Sequence, residues 1–184
     1  MADSSVRSPL AVALTAPSRV TTAEIPIIVG RQNMYPARNI VENLVNSQDH
    51  TLLVAVIMAA DFVDTLQGAG PFTLFAPTDA AFGRLTAGIV ETLVKPGNRA
   101  TLAGILTGHL MAGNLTFREL ARLIKEGHGQ AELAALNGAR LPFMMNGQHN
   151  IVLKDAKGNI ANISTYDVNQ SNGVIHVIDS IVMP

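Results

Sequence analysis

The stretch Gly70-Pro71-Phe72-Thr73-Leu74-Phe75-Ala76-Pro77-Thr78-Asp79-Ala80-Ala81-Phe82 reads as a turn, a buried strand, a stop and a capped helix in direct succession. Phe72 to Ala76 is a short apolar and β-branched run with a proline at its far end, which suits a mostly buried strand better than a helix of that length. Pro77 ends the ladder. Thr78 stands at the N-cap position, its hydroxyl placed to accept an orphan amide of the next turn, and Asp79 sets a negative charge against the positive end of that helix. Phe82 is the first large apolar residue the turn aims inward.

A second stretch, Asn172-Gly173-Val174-Ile175-His176-Val177-Ile178-Asp179-Ser180-Ile181-Val182-Met183-Pro184, closes the chain. Asn-Gly is a strong hairpin signal. Beyond it Val174, His176, Ile178, Ser180 and Val182 share one face, and Ile175, Val177, Asp179, Ile181 and Met183 the other. Both faces are mainly apolar, so this strand is expected at the centre of a sheet.

The two stretches together resemble the pair of blocks that define the fasciclin-type domain, known chiefly from cell-adhesion and extracellular-matrix proteins. The first block is Thr73 to Phe82 and the second Asn172 to Asp179; the resemblance covers residues 35–184. It implies a wedge of two small β-sheets with helices packed to one side, both motif strands adjacent in the core, and Thr73, Phe75, Pro77, Thr78, Asp79, Phe82, Asn172, Gly173, His176 and Asp179 as the residues that carry the motif. The compact chain resembles bacterial members more than multi-domain animal ones.

With 184 residues and 48% apolar content the chain has ample material for one core without staples. There is no cysteine, hence no disulfide framework, thiolate metal site or cysteine nucleophile. A formal charge of −1 with scattered basic residues argues against nucleic-acid binding and against a polybasic membrane patch. No apolar run reaches the roughly 18 residues a spanning helix needs.

Residues 1–34 are rich in Ser, Thr, Pro and Ala and read as a largely disordered tail, with Ile25 to Val29 able to pair on a sheet edge. Arg7, Leu10 to Leu14 and Ala16 imitate a secretory signal only faintly, so the expectation is a chain whose export signal has already been removed. From Asn39 a helical period begins. Helices are expected at Ile40 to Val45, Leu52 to Ile57, Phe62 to Leu66, after Thr78, at Ile89 to Val94, at Arg99 to Thr107, and after Thr116, where Thr116 and Glu119 fit a capping box and Gly127 a stop. Strands are expected at Glu132 to Leu136, Ala139 to Met145, Asn150 to Leu153, Asp155 to Asn159, Ile160 to Ser164 and Val174 to Val182. Helices first and an antiparallel meander afterwards give an α+β domain over residues 35–184.

Catalysis finds no constellation. His50, His109, His128, His149 and His176 fall in no metal-ligand spacing, no nucleophile elbow or phosphate-cradling loop is present, and no carboxylate pair is placed for acid–base work. No enzyme activity, metal or cofactor is expected. His176 reads as a neutral core histidine tied to a polar group of the first block, with Thr73 as candidate partner. His109 matches the histidine of a family Tyr-His pair that animal members link to integrin binding, but Gly108 replaces the tyrosine.

Thr165-Tyr166-Asp167-Val168-Asn169-Gln170 resembles the Asp-Ile motif of adhesive members, with Val168 in place of isoleucine. An exposed carboxylate beside a β-branched residue suits a receptor-held cation, and Tyr166 suits an exposed aromatic anchor; the bland alternative is a loop aspartate that turns the backbone. The resulting expectation is a monomeric, non-enzymatic, extracytoplasmic adhesion or matrix-interaction module. Its partner is a cell-surface or matrix protein or glycan, with Tyr166, Asp167, Val168 and His109 as candidate contacts. The alternative is a periplasmic small-ligand or polysaccharide-binding protein with a concave apolar pocket.

Overall fold

A computed structural model describes residues 25–85 and 88–183. The tail reading of residues 1–24, with Arg7, Leu10 to Leu14 and Ala16, lies outside the described residues. The chain then runs β1 (Ile27–Val29), β2 (Gln32–Met34), α1 (Ile40–Leu44), α2 (Thr51–Ala59), α3 (Val63–Leu66), β3 (Phe72–Pro77) and α4 (Asp79–Gly83). After these come α5 (Ile89–Leu93), a 3-10 turn (Pro96–Asn98), α6 (Arg99–Gly108), β4 (Leu110–Ala112), α7 (Phe117–Glu126), β5 (Gln130–Ala134), β6 (Arg140–Met145), β7 (Ile151–Lys154), β8 (Ile160–Gln170) and β9 (Gly173–Ile178).

Seven strands line up in the order β4-β3-β9-β8-β7-β6-β5. Only β3 and β9, the two motif strands, run parallel, in the register Phe72↔Gly173 to Pro77↔Ile178. β9 is central, as its two apolar faces require. The eleven-residue β8 joins the two halves of the sheet, and its register against β9 shifts between Ile163 and Thr165 and again between Thr165 and Val168. Such bulges bend a strand and strengthen its twist. The two expected sheets are therefore halves of one, hinged on β8. The outer edges nearly meet, because the Leu136 N–H donates to the Leu110 carbonyl at 2.9 Å.

The two faces of the β3–β9 pair feed separate cores. Leu74, Ala76, Val168, Ile175 and Val177 pack with α1, α2, α4 and α6, while Phe75, Phe143, Ile163 and Ile178 pack with Leu120 and Ile124 of α7. α7 thus leaves the group of helices on the first face. Its strongly one-sided pattern buries only Leu120 and Ile124, which close the second core.

Several local readings change. Ile27 to Met34 is not loose tail but a hairpin, turning at Gly30 and Arg31, both at positive φ, and burying Val29 and Met34 in the first core. It pairs with itself rather than adding to the main sheet. Asp155 to Asn159 is a turn, because the Asp155 carboxylate accepts the Lys157 and Asn159 N–H groups at 2.9 and 2.8 Å, an Asx arrangement that competes with a ladder. β9 ends at Ile178 instead of running to Val182. The Thr116–Glu119 box is half made: the Thr116 hydroxyl accepts the Glu119 N–H at 3.4 Å, while the Glu119 carboxylate turns to Arg122.

The caps at Asn39 and Thr78 are formed, with Asn39 Oδ1 accepting Glu42 N–H at 2.9 Å and Thr78 Oγ1 accepting Ala81 N–H at 3.2 Å. Asp79 reaches beyond its own helix: its carboxylate accepts from the Thr51 hydroxyl at 2.6 Å and the Leu52 N–H at 2.8 Å, capping α2.

Asn172 does more than turn a hairpin. Its buried amide accepts the Ile40 N–H at 3.1 Å and donates to the Leu66 and Gly68 carbonyls at 2.6 and 3.0 Å, tying the start of α1 to the end of α3. Asn172→Ala is expected to leave these groups unpaired and cost roughly 2–4 kcal/mol. A urea titration checks this, and an unchanged midpoint would contradict it.

Candidate functional site

The segment singled out as a surface loop is the C-terminal half of β8. Asp167 sits at φ 55 in its bulge, a conformation aspartate tolerates better than most residues. Its N–H donates to His176 Nδ1 at 3.3 Å, and its Oδ1 accepts the Phe117 N–H at 2.7 Å, capping the first turn of α7. Among the described residues its Oδ2 makes no hydrogen bond, so one oxygen of a half-buried carboxylate remains for a partner.

Its neighbours do not stand out with it. Val168 is 0% exposed, pairs with Ile175 and belongs to the first core. Tyr166 is not an exposed anchor: its ring lies edge-on to Phe117 at 4.9 Å and to His176 at 5.9 Å. Its hydroxyl donates to Asn150 Oδ1 at 2.9 Å and accepts the Ile151 N–H at 2.7 Å. Burial raises the phenol above its ordinary value, against the opposing effect of the Ile151 N–H. The bulge explains the difference, because it turns Asp167 outward while keeping the residues on either side in contact with the core.

His176 is bound differently from the expectation. Nε2 donates to the Leu115 carbonyl at 2.6 Å, and Nδ1 accepts from Asp167 N–H. Thr73 instead donates to the Gly113 carbonyl at 2.7 Å and accepts the Leu115 N–H at 2.9 Å. The two residues hold one segment, 113–115, from adjacent parallel strands without touching each other's polar atoms.

His109 closes the first core from the end of α6. It is 2% exposed, far from any surface role; Nδ1 donates to the Ile105 carbonyl at 2.8 Å and Nε2 accepts the Val182 N–H at 3.0 Å. Burial holds both His109 and His176 below the ordinary histidine pKa. Asp179 accepts from Asn162 N–H and Nδ2 at 2.9 and 3.1 Å, and faces Arg84 at 3.6 Å. The site residues thus separate into a partly free Asp167 and a set engaged by the fold itself. Among the described residues no three His, Asp or Glu side chains are grouped to hold a metal, and no helix is long and apolar enough to cross a membrane.

One feature that no sequence motif marks is an apolar crevice between α2, α5 and α6 lined by Leu53, Val56, Val90, Leu93, Leu106 and Ile181. The crowding of apolar residues in α5 was its only trace in the sequence.

An α+β domain with one seven-stranded sheet, a parallel central pair and two cores defines the class. The fasciclin-domain family model matches residues 48–184, and the chain belongs to that family. Protein sll1483 of Synechocystis sp. is 37% identical over 95% of this chain and 89% of its own length. The transforming growth factor-beta-induced protein ig-h3 of Sus scrofa is 28% identical over 81% of this chain, which spans 20% of that protein. A solved FAS1 domain pair from the insect cell adhesion molecule Fasciclin I shares the fold at a TM-score of 0.69 and 19% identity, over 80% of this chain and 51% of that one.

Proposed function

We propose that this protein is a non-enzymatic, extracytoplasmic interaction module that binds a cell-surface or matrix protein or glycan at the junction of the β8 bulge and the start of α7. The observation that carries this reading is the use of its motif and core ionisable side chains: His109, His176, Asp79, Asp155 and Asp179 all spend their polar atoms on backbone groups and neighbouring side chains of the fold. What remains for function is surface. Asp167 Oδ2 and the exposed Asn169 are the polar groups the bulge presents there. Membership of a family whose solved FAS1 domains include those of a cell adhesion molecule supports an adhesion class of partner.

Asp167→Asn is the informative variant, since its Oδ1 can still accept the Phe117 N–H and asparagine tolerates positive φ. Binding of the purified protein to immobilised cells, matrix proteins and glycans is expected to weaken by about tenfold or more in this variant, with circular dichroism unchanged. Undiminished binding by Asp167→Asn would contradict the proposed surface.

A further inference from the structure

The apolar crevice does not end blindly. It is floored by α2 and α6 and roofed by α5, and apart from His109, whose ring nitrogens are both bonded to backbone, its lining is apolar. Beside it lies an open cleft, about 650 Å³ including space open to solvent, bearing Arg84, Asn159 and Ser180. Leu85, Ile181 and Met183 line both spaces. The chain makes this seam simply: in Arg84-Leu85 and again in Ser180-Ile181, a polar side chain enters the cleft and the next residue forms the shared apolar wall.

The cleft carries a positive charge with donors to spare. Arg84 is 62% exposed; its Nη1 donates to the Ser180 hydroxyl at 3.2 Å and stands 3.6 Å from Asp179, whose carboxylate is also held by Asn162. A guanidinium has five N–H donors, so these contacts leave others for an incoming anion. The roof is correspondingly light. α5 has no buried residue although Ile89, Val90 and Leu93 are apolar, and it is bounded by Gly88 at φ 83 and by Pro96-Gly97. At rest the crevice admits little more than one water-sized sphere, so an apolar chain enters by lifting the half-buried face of α5.

We propose that crevice and cleft together bind a single-chain anionic amphiphile, its acidic head on Arg84, Ser180 and Asn159 and its alkyl chain under α5. An apolar, water-poor crevice rejects charge, and Arg84, the one cation lining the cleft among the described residues, selects an anion at the other end of the same molecule. This is independent of the Asp167 surface.

The test is isothermal titration of the full chain with decanoate, decanol and decyltrimethylammonium. Decanoate is expected to saturate one site and to bind more tightly than decanol, and the ammonium compound to bind least. Arg84→Gln is expected to weaken decanoate by about tenfold or more and to leave decanol unchanged. Val90→Trp, which fills the crevice from its roof, is expected to abolish binding of both while the melting curve is kept. Competition by lysophosphatidylglycerol would identify a phospholipid as the natural source of this chemistry, and failure to compete a free carboxylic acid. The proposal is overturned if decanoate does not saturate, or if either variant binds it as the native chain does.

Discussion

Gly173→Ala is expected to abolish the stable fold. Gly173 opens β9 opposite Phe72 of the parallel strand β3, and a Cβ there would overlap the Phe72 carbonyl oxygen and press on the Phe72 N and C atoms. All the obstructing atoms are backbone in a central strand pair, so no side chain can rotate away. The reciprocal contact is equally close, since a Cβ on Gly70 would overlap the Asn172 carbonyl. Separating β3 from β9 would breach both cores at once, and the expected cost exceeds about 4 kcal/mol, a large part of a domain's total stability. Urea unfolding followed by circular dichroism checks this. A cooperative transition with a near-native midpoint would show that the strands need not approach so closely.

The same glycine shows what could be read from the sequence and what could not. Asn172-Gly173 carried the hairpin and the family resemblance, and both hold. The local signal did not reveal that Ser171 and Asn172 make the turn, leaving Gly173 in the strand because of a chain segment a hundred positions earlier. Helices with clear apolar periodicity, and the caps at Asn39 and Thr78, were legible because their causes lie within a few residues. β4 was invisible, since three residues have no measurable period. Thr165 to Gln170 read as a loop because its polar residues mask a strand that is specified by β9 and interrupted by bulges. Of the candidate contacts, Asp167 alone keeps a carboxylate oxygen without a hydrogen bond among the described residues; the burial of Val168 and His109 and the engagement of Tyr166 follow from tertiary packing that single-sequence patterns do not contain.

Acid is expected to destabilise the fold well before carboxylates protonate. His109 and His176 each accept a backbone N–H on one ring nitrogen, from Val182 and Asp167 respectively, so adding a proton there would set two donors face to face. Burial already lowers both pKa values from the ordinary 6.5, and it does the same for His50. Below 6.5 the unfolded chain takes up protons that the folded chain refuses. The stabilisation is therefore complete above that value and is lost as pH falls towards the folded pKa values. A second loss follows below 3.8: burial pushes the Asp155 and Asp179 carboxyls up, but hydrogen bonds from Asn159 and Asn162 and their neighbours outweigh it and leave both lowered. The urea midpoint should be level from about pH 8 to 7 and drop by about pH 5, the range in which histidine titrates. A midpoint constant across that range would contradict the buried-histidine account.

The motif residues and His109 serve the fold rather than chemistry, and the protonation state of His109 and His176 tests this most directly. Long-range proton–nitrogen NMR of the imidazoles at a pH just below 6.5 reads it. The expected spectrum shows both rings neutral and in opposite tautomers, His176 protonated on Nε2 towards Leu115 and His109 on Nδ1 towards Ile105. Imidazolium signals, or rings exchanging between tautomers, would mean that these nitrogens are available to a ligand or substrate, and the division between a structural interior and a functional surface would fail.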